Sequence, residues 1–306
     1  MSDHVLRRIL TGRAAAALLA LVLAAPALAL SPQSPQGLPT RLKTPAAKPP
    51  GTPRAAPAAP AAPATPAKPA AKPAPPRTEK PVPFAAGETL TYDVSWSMAF
   101  VTAGEATLRI VDKHVSYGAP AYYIVGEGRP SPMLAKLYSL YYKTDTLLDA
   151  YTLTSQRAST YSDENGRKRT KSLLMHPDGR TATFEMQTTT HMTKEIAVPA
   201  QAQDALSALY AIRAMALKPG MNIRMPVCLD DGVYALTATV SPREEIKTGI
   251  GTVPALRLSP SVVDLQGKPA GRKLTIWMSD DAKHLPLRLQ AELTVGSFNL
   301  VLREAK

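Results

Sequence analysis

Apolar and polar residues alternate with a period of two along much of the chain beyond Phe84. Leu90, Tyr92, Val94, Trp96 and Met98 interleave with Thr89, Thr91, Asp93, Ser95 and Ser97; Ala106, Leu108 and Ile110 interleave with Glu105, Thr107 and Arg109. Successive side chains of a strand point to opposite faces, so this pattern predicts strands with one buried face. Similar runs fall at residues 122–125, 171–175, 180–186, 222–227, 233–240, 274–278, 285–293 and 296–302. Turn sequences separate them: Tyr117-Gly118, Asp163-Glu164-Asn165-Gly166, Pro177-Asp178-Gly179, Asp230-Asp231-Gly232, Gly249-Ile250-Gly251, Gln266-Gly267-Lys268 and Asp280-Asp281. Asn-Gly is the strongest of these, because both residues accept positive φ. Many short strands at this spacing predict a mainly β fold, a large antiparallel curled sheet or barrel-like domain filling residues 84–306.

Two helical periods interrupt the strands. Ser131-Pro132 places an N-cap and a first-turn proline ahead of Met133, Leu134, Leu137 and Tyr138. The second runs over 204–217: Asp204 caps it, Ala205, Leu209, Ile212 and Ala216 share a face, and Lys218-Pro219-Gly220 stops it. That apolar stripe calls for burial across a sheet face or a barrel mouth.

The first eighty residues follow a different rule. Arg7, Arg8 and Arg13 precede an apolar run over 14–28, and Ala27-Leu28-Ala29 supplies the small residues of a cleavage site. This is the pattern of a secretory signal peptide over residues 1–29. The run falls short of the roughly 20 apolar residues a membrane span needs, so cleavage is the first expectation and an uncleaved inner-membrane anchor the alternative. No cysteine follows the run to accept a lipid. The expected location is the periplasm.

Residues 30–83 are rich in Pro, Ala and Lys, with prolines at 57, 60, 63, 66, 69 and 73. Proline removes a backbone donor and fixes φ, and side chains larger than Ala are too few to build a core, so a disordered polyproline-like spacer is expected. Its charges are Arg41, Lys43, Lys48, Arg54, Lys68, Lys72, Arg77 and Lys80 against Glu79 alone, a large share of the chain's formal net charge of +12. Positive charge on a tether of an exported chain argues against nucleic acid as a partner and for weak contact with anionic envelope surfaces.

Chemistry-bearing patterns are sparse. His114, His176, His191 and His284 have no partner at metal-ligand spacing, and there is no H-E-x-x-H. Asp280, Asp281 and His284 are the weak candidates for a metal, but Asp at a hairpin also serves to bend the backbone. Ser207 lacks a G-x-S-x-G elbow. Gly126-Glu127-Gly128 and Gly249-Ile250-Gly251 lack the rest of a dinucleotide fingerprint. Cys228, the single cysteine, sits in an apolar run and reads as packing. No catalytic residue and no cofactor is expected. Tyr122, Tyr123, Tyr138, Tyr141 and Tyr142 cluster in sequence and suit core edges or ligand clefts alike. If the barrel is hollow, Trp96, Tyr138, Tyr142 and Trp277 are the expected lining.

Several stretches, in their order, carry a family resemblance: Gly87 to Trp96 (GETLTYDVSW), Ala103-Gly104-Glu105-Ala106, Asp204 to Tyr210 (DALSALY), Leu217-Lys218-Pro219-Gly220, Pro226 and Val227 with Asp231-Gly232, Gly251 to Ala255 (GTVPA), Lys273 to Asp281 (KLTIWMSDD), and His284-Leu285-Pro286-Leu287. Together they resemble an uncharacterised bacterial envelope family, domain of unknown function 3108. The resemblance implies an exported β-rich, barrel-like domain and implies no activity and no catalytic residues.

The leading functional expectation is therefore a non-enzymatic periplasmic protein that binds or carries an apolar or envelope-derived ligand, such as a lipid, in its barrel. An envelope scaffold or assembly factor that grips a partner protein through a sheet edge is the second. An envelope hydrolase is the third.

Overall fold

The computed structural model describes residues 77–96, 101–136, 138–230, 232–270, 273–293 and 296–306. The expected signal peptide and most of the expected spacer lie outside the described residues, as do Ser97, Met98, Leu137 and Asp231. Contacts with the folded part begin ahead of the boundary expected at Phe84: Glu79 pairs with Lys113 at 2.7 Å, and the Lys80 backbone N–H donates to the Ala150 carbonyl at 3.0 Å.

The described residues form sixteen strands, most of the alternating segments among them. They are β1 (Thr89–Trp96), β2 (Val101–Ser116), β3 (Ala119–Pro130), β4 (Leu140–Asp149), β5 (Ser155–Glu164), β6 (Arg167–Met175), β7 (Thr181–Gln187), β8 (His191–Ala197), β9 (Asn222–Leu229), β10 (Gly232–Thr248), β11 (Gly251–Leu258), β12 (Ser261–Asp264), β13 (Pro269–Ala270), β14 (Leu274–Ser279), β15 (Pro286–Leu293) and β16 (Gly296–Ala305). All join one antiparallel sheet in the order β13-β12-β10-β11-β14-β15-β16-β1-β2-β3-β4-β5-β6-β7-β8, with β9 on β10. The ladder does not close into a barrel: among the described residues β8 ends the row with β7 as its one ladder partner.

Local chemistry fixes the turns. Asn165 and Gly166 take φ of 49° and 82°, the two left-handed residues of a tight hairpin, and Tyr117 and Gly118 do the same at 49° and 72°. Curling comes from bulges, which raise local twist: register slips occur between Ile110 and Asp112, between Leu147 and Leu148, and between Val240 and Arg243. The third slip holds Pro242, which cannot donate to a ladder. β10 runs on for 17 residues through it, pairing with β9 and β12 over its first half and with β11 over its second.

Two short helices match the predicted starts: α1 (Pro132–Ala135), capped by Ser131, and α2 (Ala205–Arg213), capped by Asp204. Asp204 Oδ1 accepts from the backbone N–H of Leu206 and Ser207 at 2.8 and 3.0 Å, and Ser207 Oγ accepts the Asp204 N–H at 2.9 Å. One expectation needs correcting. The helix does not bury a single stripe over a sheet face or mouth: every residue from Leu206 to Arg213 is buried. The sheet curls around α2, so Leu206, Leu209, Tyr210 and Ile212 share one core with Leu90 and Tyr92 of β1, Ile124 of β3, Val240 of β10 and Leu300 of β16. At roughly 1.5–3 kcal/mol for each large apolar side chain fully buried, the helix is a main contributor to that core. A smaller core of Leu173, Met175, Ala182, Phe184, Ile196, Val198 and Ala202 packs onto Cys228 and Val233. It draws β6–β8 against β9–β10 by side chains where no ladder joins them.

Candidate functional site

The inward face of β3–β8 can be read in rows across the strands. Ile124, Thr146, Ala158, Leu173, Phe184 and Lys194 are in register. The next row is Gly126, Thr144, Thr160, Lys171, Met186 and Met192; beyond it come Gly128, Tyr142, Ser162 and Arg169, then Leu140, Glu164 and Arg167. The face thus passes from apolar through hydroxyl-bearing to cationic within a few residues of each strand.

Where this face meets the start of α2 and the β9–β10 turn lies a cleft of about 50 Å³, lined by Thr144, Thr160, Lys171, Asp204, Cys228 and Asp230 among others. One water needs roughly 10–15 Å³ of such space, so the cleft has room for a few waters or one small polar group. Two contacts tie its walls together. Lys171 Nζ donates to Asp230 Oδ1 at 2.7 Å, and both side chains are about one-fifth exposed, at 18% and 22%. Thr146 Oγ1 donates to Asp204 Oδ2 at 2.6 Å. The Tyr142 hydroxyl lies near Thr160 and Asp230, is fully buried and finds no well-formed hydrogen bond. Burial pushes its pKa up, so it stays a neutral donor.

A second polar constellation sits inside the main core. The Arg213 guanidinium, 0% exposed, makes a two-pronged pair with Glu88 at 2.6 and 2.9 Å and donates through Nε to the His284 carbonyl at 3.2 Å. It lies over the rings of Phe84 and Tyr210, 5.3 and 4.9 Å from their centroids. Burial opposes the charge most strongly of any single cause, but the Glu88 hydrogen bonds together with the Coulombic influence of Tyr210, Glu88 and Tyr92 raise the guanidinium's pKa. Tyr92 donates to the Pro286 carbonyl at 2.9 Å, and burial raises its pKa as well. This group fastens the entry to β1, the end of α2 and the β14–β15 turn.

The residues expected to line a hollow barrel all join or pack against the main core, Tyr142 and Trp277 within it and Trp96 and Tyr138 against it. Trp96 stacks on Phe298 at 5.7 Å. Tyr138 is partly buried against the main core. Trp277 donates from its indole N–H to Glu244 at 2.9 Å, under the Arg288 guanidinium. Tyr142 alone among the four adjoins the cleft, through Thr160 and Asp230. In the β14–β15 turn, Asp281 Oδ1 accepts from Ser279 Oγ and from the backbone N–H of Lys283 and His284. Asp280 pairs with Arg243 at 2.9 Å, and His284 Nδ1 faces the Arg213 carbonyl at 2.9 Å. These three side chains thus hold the turn and its neighbours, and no cluster of three or more His, Cys, Asp or Glu suited to a metal occurs among the described residues.

Sequence reasoning passed over Arg213 and Lys171. Arg213 left a usable trace: a charged residue in a helix otherwise apolar on all sides must find a buried partner. Lys171 left none, because its partner Asp230 is 59 residues away.

No curated relative matches the sequence. Among solved structures, the chain is similar to a β-barrel-like protein of domain of unknown function DUF1849 from Brucella abortus, at 10% identity and a TM-score of 0.49, covering 72% of this chain and 98% of that one. It is also similar to a protein with a YmcC-like fold from Bacteroides fragilis, at 11% identity and a TM-score of 0.28, covering 75% of this chain and all of that one. The model of one family, DUF3108, protein of unknown function, matches residues 91–303. That span runs from β1 to β16 and takes in nearly the whole sheet, so the chain belongs to the DUF3108 family.

Proposed function

We propose that this is an exported, non-enzymatic protein of the cell envelope that holds a partner protein at the open edge of its sheet. The observation that carries the reading is the placement of α2. Burial of the helix from Leu206 to Arg213 in the main core favours a filled interior over a lumen ligand. What the fold offers outward is a ladder left open at β8, an edge strand with one side available for an extended segment of another chain. His191, Thr193, Lys194 and Glu195 are exposed along it, and charged side chains on an edge discourage unselective pairing while leaving a matched partner able to add. Export rests on the basic, apolar and small-residue sequence of residues 1–29.

A second reading keeps a ligand but moves it. The buried Tyr142 hydroxyl beside Thr160 and the Lys171–Asp230 pair suit the small polar end of an envelope-derived molecule at the seam.

Photo-crosslinking in intact cells separates the two. A crosslinker at Thr193 should capture one envelope protein, and the same crosslinker at exposed Lys247 should not. Equal capture at the two positions, or none at Thr193, counts against the edge.

A further inference from the structure

We propose that the end of the sheet where α1 meets the β5–β6 hairpin is a contact site for an anionic membrane surface. Arg129 at the close of β3, Lys136 just after α1, and Arg167, Lys168 and Arg169 at the start of β6 are all exposed there, and none forms an ion pair among the described residues. Two hydrogen bonds join the pieces. The Ser139 N–H donates to Asn165 Oδ1 at 2.8 Å, and the Asn165 N–H donates to the Ser139 carbonyl at 2.9 Å.

The strand cations sit in the outermost rows. Arg167 is in register with Glu164 and Leu140, Lys168 with Asp163 and Tyr141, and Arg169 with Ser162 and Tyr142. Arg129 lies over the Tyr141 ring, 5.1 Å from its centroid. At about 3.4 Å per residue, these rows span roughly 7 Å along the strands. Salt screens a charge over about 8 Å at physiological ionic strength, so a surface touching this end feels all of them. Opposing charge is smaller. Asp163 and Glu164 share the rows, and Asp163 Oδ1 already accepts the Gly166 N–H at 2.9 Å. Glu105 and Glu127 on the neighbouring strands are matched by Arg303 and Arg109. The end therefore keeps a net positive charge.

The spread of the charge selects the occupant. Alternate residues of a strand point to opposite faces, so Arg167 and Arg169 lie on the inward face and Lys168 on the outward one, with Arg129. A small anion or an acidic peptide lying on one face reaches only part of this set, whereas a charged plane laid across the strand ends reaches all of it. An apolar side chain stands at the same end: Met133 of α1 is 59% exposed, next to exposed Pro132. A flexible apolar side chain beside cations suits the boundary between lipid headgroups and acyl chains, where anionic lipid attracts the basic residues.

The test is vesicle co-sedimentation of the protein purified from the envelope, comparing phosphatidylglycerol mixed with phosphatidylcholine against phosphatidylcholine alone. The protein should bind the anionic vesicles only, and less with added salt. Lys168→Gln combined with Arg169→Gln should weaken that binding by roughly tenfold with the melting temperature unchanged. Lys218→Gln combined with Lys247→Gln removes as much charge from exposed positions after α2 and in β10, and should leave binding near that of the unaltered protein. Met133→Ser should weaken binding and keep its salt dependence. Equal loss in the two charge variants would reduce the contact to net charge and overturn the proposal. So would binding untouched by Lys168→Gln with Arg169→Gln or by Met133→Ser, or no binding by the unaltered protein. The readout needs neither β8 nor its partner, so its failure is distinct from failure of the edge reading.

Discussion

Arg213 shows how one residue governs the interior. Its guanidinium is held by Glu88, by the His284 carbonyl and by two aromatic faces, with no exposed surface. Removing one partner of a buried pair leaves the other uncompensated and costs about 3–5 kcal/mol. Arg213→Met should therefore lower the unfolding free energy by about that much in urea titration, and Glu88→Leu added to it should recover part of the loss. Recovery would separate the stranded carboxylate from lost packing. Buried tyrosines add a pH signature. Burial raises the pKa of Tyr92, Tyr142 and Tyr210 above the ordinary 10.0. Below pH 10 both folded and unfolded chains keep these protons and the stabilisation is complete. As pH climbs past 10 the unfolded chain releases them first, so stability falls. Urea unfolding followed from about pH 9 to pH 12 should show this decline, and Tyr142→Phe should flatten it by up to about 1.4 kcal/mol per pH unit.

Among elements, those with a local cause were legible in the sequence. The hairpins at Asn165-Gly166 and Pro177-Asp178-Gly179 and the Asp204 cap follow from the chemistry of a few adjacent residues, and each is where the pattern put it. β8 was not legible. An edge strand needs no continuous apolar face, and Met192 and Ile196 are all that its inward side shows of one. β10 ran past its expected end at Val240, because the bulge at Pro242 tolerates a residue that usually ends a strand. α2 stops at Arg213 instead of reaching Leu217. The Ala214 N–H is shared between the Tyr210 and Ala211 carbonyls, and the Met215 N–H turns to Ile212, tightening the last turn well before Pro219.

For the whole molecule, the pattern of alternation was enough for a large curled antiparallel sheet, and the sheet is there. Whether its interior is hollow was beyond the pattern. Alternation says that one face is buried, not what buries it, and here α2 does. The cleft was equally invisible, since Thr144, Lys171, Asp204 and Asp230 come from four separate elements or turns that only the fold brings together. With α2 buried in the main core and β8 at the end of the ladder, we propose that function lies at the edge and seam of the sheet. Native mass spectrometry of the protein released intact from the envelope tests that claim most directly. The predicted result is the mass of the polypeptide, alone or with a protein partner, and no retained lipid. One lipid held per chain through gentle desolvation would contradict it.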